Sequence, residues 1–108
     1  MATKANLVID QGATFSADLD ITDENGDAIN LSGYSASSQI RKWYTSTKYV
    51  EFTTSVNSDI GVVTLSLTAN QTSLLTAGRY VYDVEITDNV TISRIVEGII
   101  TVNPNVTR

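Results

Sequence analysis

Apolar and polar residues alternate along most of the chain, as they do in strands that bury one face. In residues 14–22, the apolar side chains Phe15, Leu19 and Ile21 share one face, and Thr, Ser and Asp side chains share the other. This period of two is typical of a half-buried antiparallel strand. Comparable segments follow, with turn residues between them, at residues 6–10, 35–44, 49–54, 62–67, 79–87 and in a last strand that ends at Val102.

This spacing predicts an all-β fold, an antiparallel β-sandwich of about seven to eight short strands. A small barrel is the alternative, because the spacing of strands does not distinguish the two architectures. The composition agrees with an all-β chain, since Val, Ile and Thr make up 36 of the 108 residues and β-branched side chains favour strands. The inward positions predict a core of Phe15, Leu19, Ile21, Ile40, Val63, Leu65, Tyr82, Val84, Ile86 and Ile100.

One short helical turn is predicted at residues 68–75. Thr68 can cap this helix, and Gln71 stands three residues later, as a capping box requires. Gly78 follows and ends the helix. Tyr80 and Tyr82 come directly after this corner, and we expect a tyrosine hydroxyl to bond back to the preceding connection, as in the tyrosine corner of sandwich folds.

The last two strands are predicted to form a hairpin with a three-residue loop. The loop is Asp88, Asn89 and Val90, and the inward side chains keep their parity across it. The pairs expected from this loop are Ile86 with Ile92, Tyr82 with Val96, and Tyr80 with Gly98.

Two exposed surfaces are candidates for an interface. The first is the outer face of the last hairpin, where strand parity places Val81, Ile95 and Ile99. The second is the turn that carries Trp43, Tyr44 and Tyr49, since Trp and Tyr are frequent interface anchors. We favour the hairpin face, because side chains on a rigid strand lose less entropy on binding than those of a flexible turn. Residues 1–5 and 103–108 are expected to be mobile arms around a domain at residues 6–102, and both could add contacts.

Composition and charge restrict the chemistry. The chain has no Cys and no His, which excludes disulfides, thiolate metal sites and imidazole bases. The net charge of −5 argues against direct binding to nucleic acid. The N-terminus is polar, and no apolar run is long enough for a membrane helix, so we expect synthesis without a secretion leader and no membrane partner. No cofactor motif occurs.

Two groups of carboxylates were weighed as chemical sites. One group surrounds a turn rich in Asp and Asn. Its carboxylates either form a solvated surface or, as the alternative, bind a calcium ion. The distal ligand of a calcium loop is missing there, and we expect no metal. In the other, Asp83 and Glu85 share an outer strand face and Glu97 is expected beside them, an arrangement more typical of a soluble surface than of catalysis. The first group consists of Asp18, Asp20, Asp23, Glu24 and Asp27.

Several segments, taken in their order along the chain, resemble a family of small tailed-bacteriophage virion proteins of the cyanophage and marine-phage type, which have an immunoglobulin-like domain. The best stretch is residues 77–84, and the resemblance covers nearly the whole chain. Thr76 departs from the family, which has proline before the Ala-Gly corner. The other segments that carry the resemblance are residues 10–15, 29–34, 39–41, 65–68 and 97–102.

The resemblance implies an immunoglobulin-like sandwich, no enzymatic activity and a structural role in the virion, on the capsid, neck, tail or baseplate. Its partners would be other virion proteins in many symmetric copies, with a homo-oligomer as a further option. The protein would be made in the host bacterial cytoplasm, which suits a chain without Cys. The alternative is a carbohydrate-binding or host-adhesion module in which Trp43, Tyr44 and Tyr49 form a platform for a sugar ring.

Overall fold

The structure is a computed structural model that describes residues 3–22, 30–58 and 60–106, and strands make up most of this part of the chain. The predicted turn at residues 23–27 lies outside it. The described elements are β1 (Thr3–Lys4), β2 (Leu7–Asp10), β3 (Phe15–Asp20), β4 (Ser35–Arg41), β5 (Tyr49–Glu51), β6 (Thr53–Asn57), β7 (Val62–Leu67), the short helix α1 (Ala69–Ser73), β8 (Gly78–Thr87) and β9 (Ile92–Asn103).

These strands form two sheets with the strand order of an immunoglobulin-like sandwich. The larger sheet has the order β1-β9-β8-β4-β5, with β2 also paired to β9, and the smaller sheet has the order β3-β7-β6. In an immunoglobulin-like sandwich, strands B, E and D form one sheet and strands C, F and G form the other. Here β3, β7 and β6 take the places of B, E and D, and β4, β8 and β9 take the places of C, F and G. The predicted all-β sandwich is confirmed, and the barrel is not the fold.

The N-terminal strands are the exception to the antiparallel prediction. Both β1 and β2 pair with β9 in parallel. The Ala5 N–H donates to Glu97 O (2.9 Å), and Ala5 O accepts from the Tyr82 hydroxyl (2.6 Å). The prediction of a mobile arm at residues 1–5 is therefore wrong for residues 3–5, which are bound to the sheet. At the other end, β9 continues to Asn103, and the Asn105 N–H donates to Gln11 Oε1 (3.1 Å).

The predicted fourth strand is two strands, because the chain changes sheets at Phe52. β5 pairs with β4 in the larger sheet, and β6 pairs with β7 in the smaller one. The Phe52 ring is buried between the sheets, 5.9 Å from the Phe15 ring and 6.3 Å from the Tyr82 ring, measured between centroids. The Phe52 N–H donates to Ser38 O (3.0 Å), so the crossing is tied to the larger sheet.

The core lies between the two sheets and contains every predicted core residue. Phe15 and Leu19 are half-buried and pack against the buried cluster, and the other eight are buried. The burial of such aliphatic and aromatic side chains is the main stabilising contribution. The buried cluster also contains residues outside that predicted list, namely Ile9, Leu31, Phe52, Leu67, Leu75, Tyr80, Val96 and Val102.

Helix α1 begins as predicted with a capping box. Thr68 Oγ1 accepts from the Gln71 N–H (3.2 Å), and Gln71 Oε1 accepts from the Thr68 N–H (2.8 Å). The buried Thr72 hydroxyl donates to Ala13 O (2.9 Å), which holds the helix against the loop after β2. Among the described residues, no helix has the length and apolar character needed to cross a bilayer.

The predicted tyrosine corner is present at Tyr80. Its hydroxyl donates to Thr76 O (2.8 Å), four residues earlier, and also contacts Thr76 Oγ1 (3.1 Å). Tyr82 has a different role, because its hydroxyl holds Ala5 of the N-terminal segment. Burial raises the pKa of the Tyr82 hydroxyl to about 12.

The register of the last hairpin differs from the prediction because the loop has four residues and β9 contains a bulge. Thr87 pairs with Ile92, and Asp88 Oδ1 caps the loop by accepting from the N–H groups of Thr91 (2.7 Å) and Val90 (3.0 Å), which lower the Asp88 pKa. The longer loop moves every pairing by one residue, and a register shift at Val84 moves it by one more. The predicted pairs are therefore wrong, and Ile86 pairs with Ser93, Tyr82 with Gly98, and Tyr80 with Ile100.

Candidate interaction surfaces

The β-bulge separates the three aliphatic residues that were expected on the outer face of the hairpin. The prediction is wrong for Ile95, because the longer loop reverses the parity of the residues that precede the bulge. Ile95 is half-buried and packs against the core, where it lines a groove of about 390 Å³ with Leu19 of β3 and with Ile21, which follows that strand. The bulge restores the parity after Val96, so Ile99 lies on the outer face as expected and is 43% exposed.

Without Ile95, the outer face of the last hairpin is mostly polar. Ile99 pairs with Val81, and Val81 pairs with Arg41 on its other side. The next cross-strand pair is Asp83 with Glu97, as the sequence predicted. Val81 and Ile99 therefore form a small apolar spot among charged groups.

Arg94 neutralises part of this face. Its guanidinium lies 3.3 Å from Asp83 Oδ2 and 3.7 Å from Glu97 Oε2. Arg94 and both carboxylates are substantially exposed, so these pairs contribute little to stability. They make the outer face a hydrated surface, which is a poor site for burying apolar area.

The turn at residues 42–48 is held by hydrogen bonds, which contradicts its description as flexible. The Ser46 N–H donates to Trp43 O (3.0 Å), and the Ser46 hydroxyl bonds to Lys48 O (3.1 Å). The Arg41 guanidinium donates to Ser46 O and to Gln39 Oε1 (2.8 Å). Trp43 is 60% exposed, and it projects from a turn whose backbone is already ordered. Because this backbone is ordered before binding, the turn has less conformational entropy to lose when a partner binds than a flexible turn would have.

Trp43 borders a cleft of about 640 Å³ between this turn and the end of α1, and we call it the Trp43 cleft. Its apolar lining comes from separate parts of the chain. Leu74 follows α1 and is 77% exposed, while Leu75 and Tyr80 are buried. The lining is completed by Ile40, Lys42, Thr45, Ser46, Thr47, Lys48, Tyr49 and Val50.

The three predicted aromatic residues do not share one platform. Trp43 and Tyr49 both line the Trp43 cleft, but the Arg41 guanidinium lies 4.7 Å from the Tyr49 ring centroid and covers one face of that ring. Tyr44 is 75% exposed and borders a different concavity of about 410 Å³ on the outer face of the larger sheet, beside Gln39.

Leu74 is the residue of this site that sequence reasoning missed. The segment 68–75 ends in two leucines, and a two-turn helix can direct only one of them into the core. Leu75 takes the buried position and leaves Leu74 exposed next to the Trp43 turn. The adjacent leucine pair was the available signal, although it does not say which leucine is exposed.

Charge distinguishes the Trp43 cleft from the rest of the molecule. The chain has twelve acidic residues, yet none lies in residues 28–50 or 60–82, the two stretches that line the cleft. Lys42 and Lys48 are both in the lining. Both ion pairs found among the described residues belong to Arg94, so neither involves these lysines.

The acidic group weighed for calcium is only partly described. Asp23, Glu24 and Asp27 lie outside the described residues. Asp18 Oδ1 accepts from the Thr64 hydroxyl (2.8 Å) across the smaller sheet. Within residues 3–22, 30–58 and 60–106, no group of three or more acidic residues is placed to hold a metal ion.

Comparison with known structures supports the fold. The chain is similar to part of InlP from Listeria monocytogenes, with 16% identity and a TM-score of 0.50 over 94% of this chain. It spans only 28% of the length of that protein. At this identity the likeness concerns the fold alone. No protein-family model and no curated protein sequence matches the chain.

Proposed function

We propose that this chain is a non-enzymatic structural protein of a phage virion, which docks on a neighbouring virion protein through the Trp43 cleft. The observation that carries the proposed docking site is an exposed apolar surface formed by Trp43, on an ordered turn, and by Leu74, at the end of α1. A small domain holds a place in a particle only if a partner covers such a surface, and Trp is one of the residue types enriched among interface anchors.

The virion role rests on the resemblance of the sequence to tailed-phage virion proteins, which fits two features of the fold. The stretch that resembles this family best, residues 77–84, forms the corner at Gly78 and the tyrosine bond of Tyr80. The strand order is also that of an immunoglobulin-like domain. On a capsid, neck, tail or baseplate, many identical copies would bind to a symmetric array, so that each contact can be weak.

The docking site is tested by replacing Trp43 and measuring incorporation into particles. We expect Trp43→Ala to lower incorporation roughly tenfold or more, because truncating a central aromatic anchor removes much of the binding free energy. Tyr44→Ala is the matched control, since Tyr44 is a neighbouring aromatic residue, more exposed than Trp43, that lies outside the cleft. Normal incorporation of Trp43→Ala would contradict the proposed docking site.

A carbohydrate-binding or host-adhesion module is the second candidate. The observation in its favour is that Trp43 and Tyr49 line one cleft together with the hydroxyl-bearing residues 45–47. A sugar ring stacked on Trp43 would change its fluorescence, and Trp43 is the only tryptophan in the chain. Titration with neutral oligosaccharides from the host surface tests this candidate directly, and an unchanged spectrum would count against it.

A further inference from the structure

The Trp43 cleft combines apolar and cationic groups on a protein whose net charge is −5. Lys42 and Lys48 line it, and Arg41 covers one face of the Tyr49 ring, which is also part of the lining. The two stretches that line the cleft contain no carboxylate. An acidic partner is therefore repelled by most of this molecule and attracted at one place, so that charge selects both the partner and its orientation.

Two of these three cations, Lys42 and Arg41, are held in position before a partner arrives. Lys42 Nζ lies 4.7 Å from the centroid of the Tyr80 ring, which is itself fixed by the bond from its hydroxyl to Thr76 O. Arg41 is fixed by its bonds to Ser46 O and Gln39 Oε1. Because these groups are ordered, binding costs less side-chain entropy than it would with free lysines.

We propose that the Trp43 cleft binds an acidic peptide segment of a partner protein. This inference rests on the proposed function and names the chemistry of the partner. One apolar side chain of the segment packs between Trp43 and Leu74. Carboxylates on either side of it meet Lys42 and Lys48, and Arg41 extends the positive edge.

The lining favours a peptide over an acidic sugar chain. A sugar needs open aromatic faces and hydrogen-bond partners for its hydroxyls, but Arg41 covers one face of Tyr49 and Tyr44 lies elsewhere. The part of the lining that follows α1 is aliphatic, because it is made by Leu74 and Leu75. An aliphatic wall suits an apolar amino-acid side chain.

The test uses the fluorescence of Trp43, which reports on the cleft alone because the chain has no other tryptophan. The probe is a synthetic peptide with Glu residues on both sides of a central Leu. A second peptide, with every Glu replaced by Gln, separates charge from apolar contact, and an oligomer of a uronic acid represents an acidic sugar chain. We expect saturable binding of the Glu peptide, at least tenfold weaker binding of the Gln peptide, and weaker binding as salt rises from about 0.05 M to about 0.5 M.

Charge reversal in the cleft is compared with the same change elsewhere. We expect the double variant Lys42→Glu, Lys48→Glu to bind the Glu peptide at least tenfold more weakly, and Lys4→Glu to bind it as the native chain does. If the double variant does not fold, Lys42→Gln, Lys48→Gln replaces it, and the same loss is expected to a smaller degree. Equal binding of the Glu and Gln peptides overturns the proposal, as does binding of the uronic acid oligomer without binding of the peptide.

Particle incorporation separates this inference from the proposed function. If Trp43→Ala is excluded from particles and the folded double lysine variant is incorporated normally, the docking site stands and the acidic partner is wrong. If both variants are incorporated normally, the docking site itself is wrong, and the inference falls with it. If both are excluded and Lys4→Glu is incorporated, both proposals are supported.

Discussion

The outer face of the last hairpin exposes one apolar cross-strand pair, whereas the Trp43 cleft gathers apolar side chains from several segments of the chain. On the hairpin face, Val81 and Ile99 are next to Arg41 on one side and to the Asp83–Glu97 pair along the strands. In the cleft, a turn supplies Trp43 and the end of a helix supplies Leu74, so that both line one concavity. Alternation in a strand spaces outward residues two apart, so a continuous apolar surface there needs matching residues on several strands. Segments that converge from different parts of the chain have no such constraint.

The two surfaces also differ in their connection to the rest of the fold. The strands of the hairpin also hold the N-terminal segment, because Ala5 lies against Gly98 and Tyr82. The cleft is built from connections at one end of the sandwich. Substitutions at the hairpin should therefore cost stability, and substitutions at the cleft should mainly cost binding.

The largest effect is expected for Gly98→Ala. A β-carbon at this position would lie 2.0 Å from Ala5 O, so the N-terminal segment would have to move away from β9. We expect the free energy of unfolding to fall by about 2–3 kcal/mol, as in other overpacked sites, and this can be measured by denaturant unfolding. The control Ile99→Ala changes the next residue, whose side chain is on the open face, and should cost clearly less. An unchanged midpoint for Gly98→Ala would mean that residues 3–5 are not bound as described.

A pair of arginine substitutions tests the parity of β9. Ile95→Arg places a charge at a half-buried position against the core, and we expect a loss of about 1–2 kcal/mol. Ile99→Arg makes the same change on the outer face and should stay within about 0.5 kcal/mol of the native chain. Denaturant unfolding of the two variants gives the comparison. Equal stabilities would show that the bulge does not turn Ile95 inward.

The next effect is confined to alkaline solution. The pKa of Tyr82 is about 12 in the folded chain and 10.0 in the unfolded chain. Because the folded state keeps the proton longer, the contribution of Tyr82 is fully present below pH 10 and is lost as the pH rises towards 12. We expect Tyr82→Phe to reduce this alkaline loss, measured as the unfolding midpoint against pH, and a Tyr44→Phe control to leave it unchanged. Identical pH profiles of the unfolding midpoint for the native chain and Tyr82→Phe would show that burial does not raise the pKa of the Tyr82 hydroxyl.

The smallest effect is expected at the floor of the cleft. Tyr80→Phe removes the bond to Thr76 O but keeps the ring beneath Lys42. One hydrogen bond contributes about 1 kcal/mol, and Thr76 is exposed, so water can replace the lost donor. We expect a loss of at most about 1 kcal/mol by thermal or denaturant unfolding. A loss larger than that of Gly98→Ala would reverse the comparison, because the cleft would then be the better-integrated region.

Local patterns predicted those parts of the fold that depend on neighbouring residues. The alternation in residues 14–22 and 79–87 identified the inward side chains, and the Thr68–Gln71 spacing identified the start of α1. The tyrosine corner followed from the position of Tyr80 after Gly78. Each of these signals is complete within a few residues, so no knowledge of distant partners is needed.

The candidate site was predicted in part. Trp43, Tyr44 and Tyr49 are exposed as expected, whereas their division between two concavities depends on the Arg41 bonds that shape the turn. The contribution of Leu74 depends on which of two adjacent leucines the core accepts. That choice is made by the packing of α1, where the Thr72 hydroxyl bonds to Ala13 O.

The sequence by itself determined that this protein is an all-β fold with a short capped helix, because periodicity and capping act through neighbouring residues. The choice of a sandwich over a barrel needed the pairing of the strands into two separate sheets. Only the tertiary structure decided the register of β9, the change of sheet at Phe52 and the docking of residues 3–5. One extra loop residue and one bulge reverse and then restore the parity of a strand, and the cost of each is offset by contacts with residues far away in the chain. The same holds for the Trp43 cleft, whose walls are remote in sequence and meet only when the two sheets have packed.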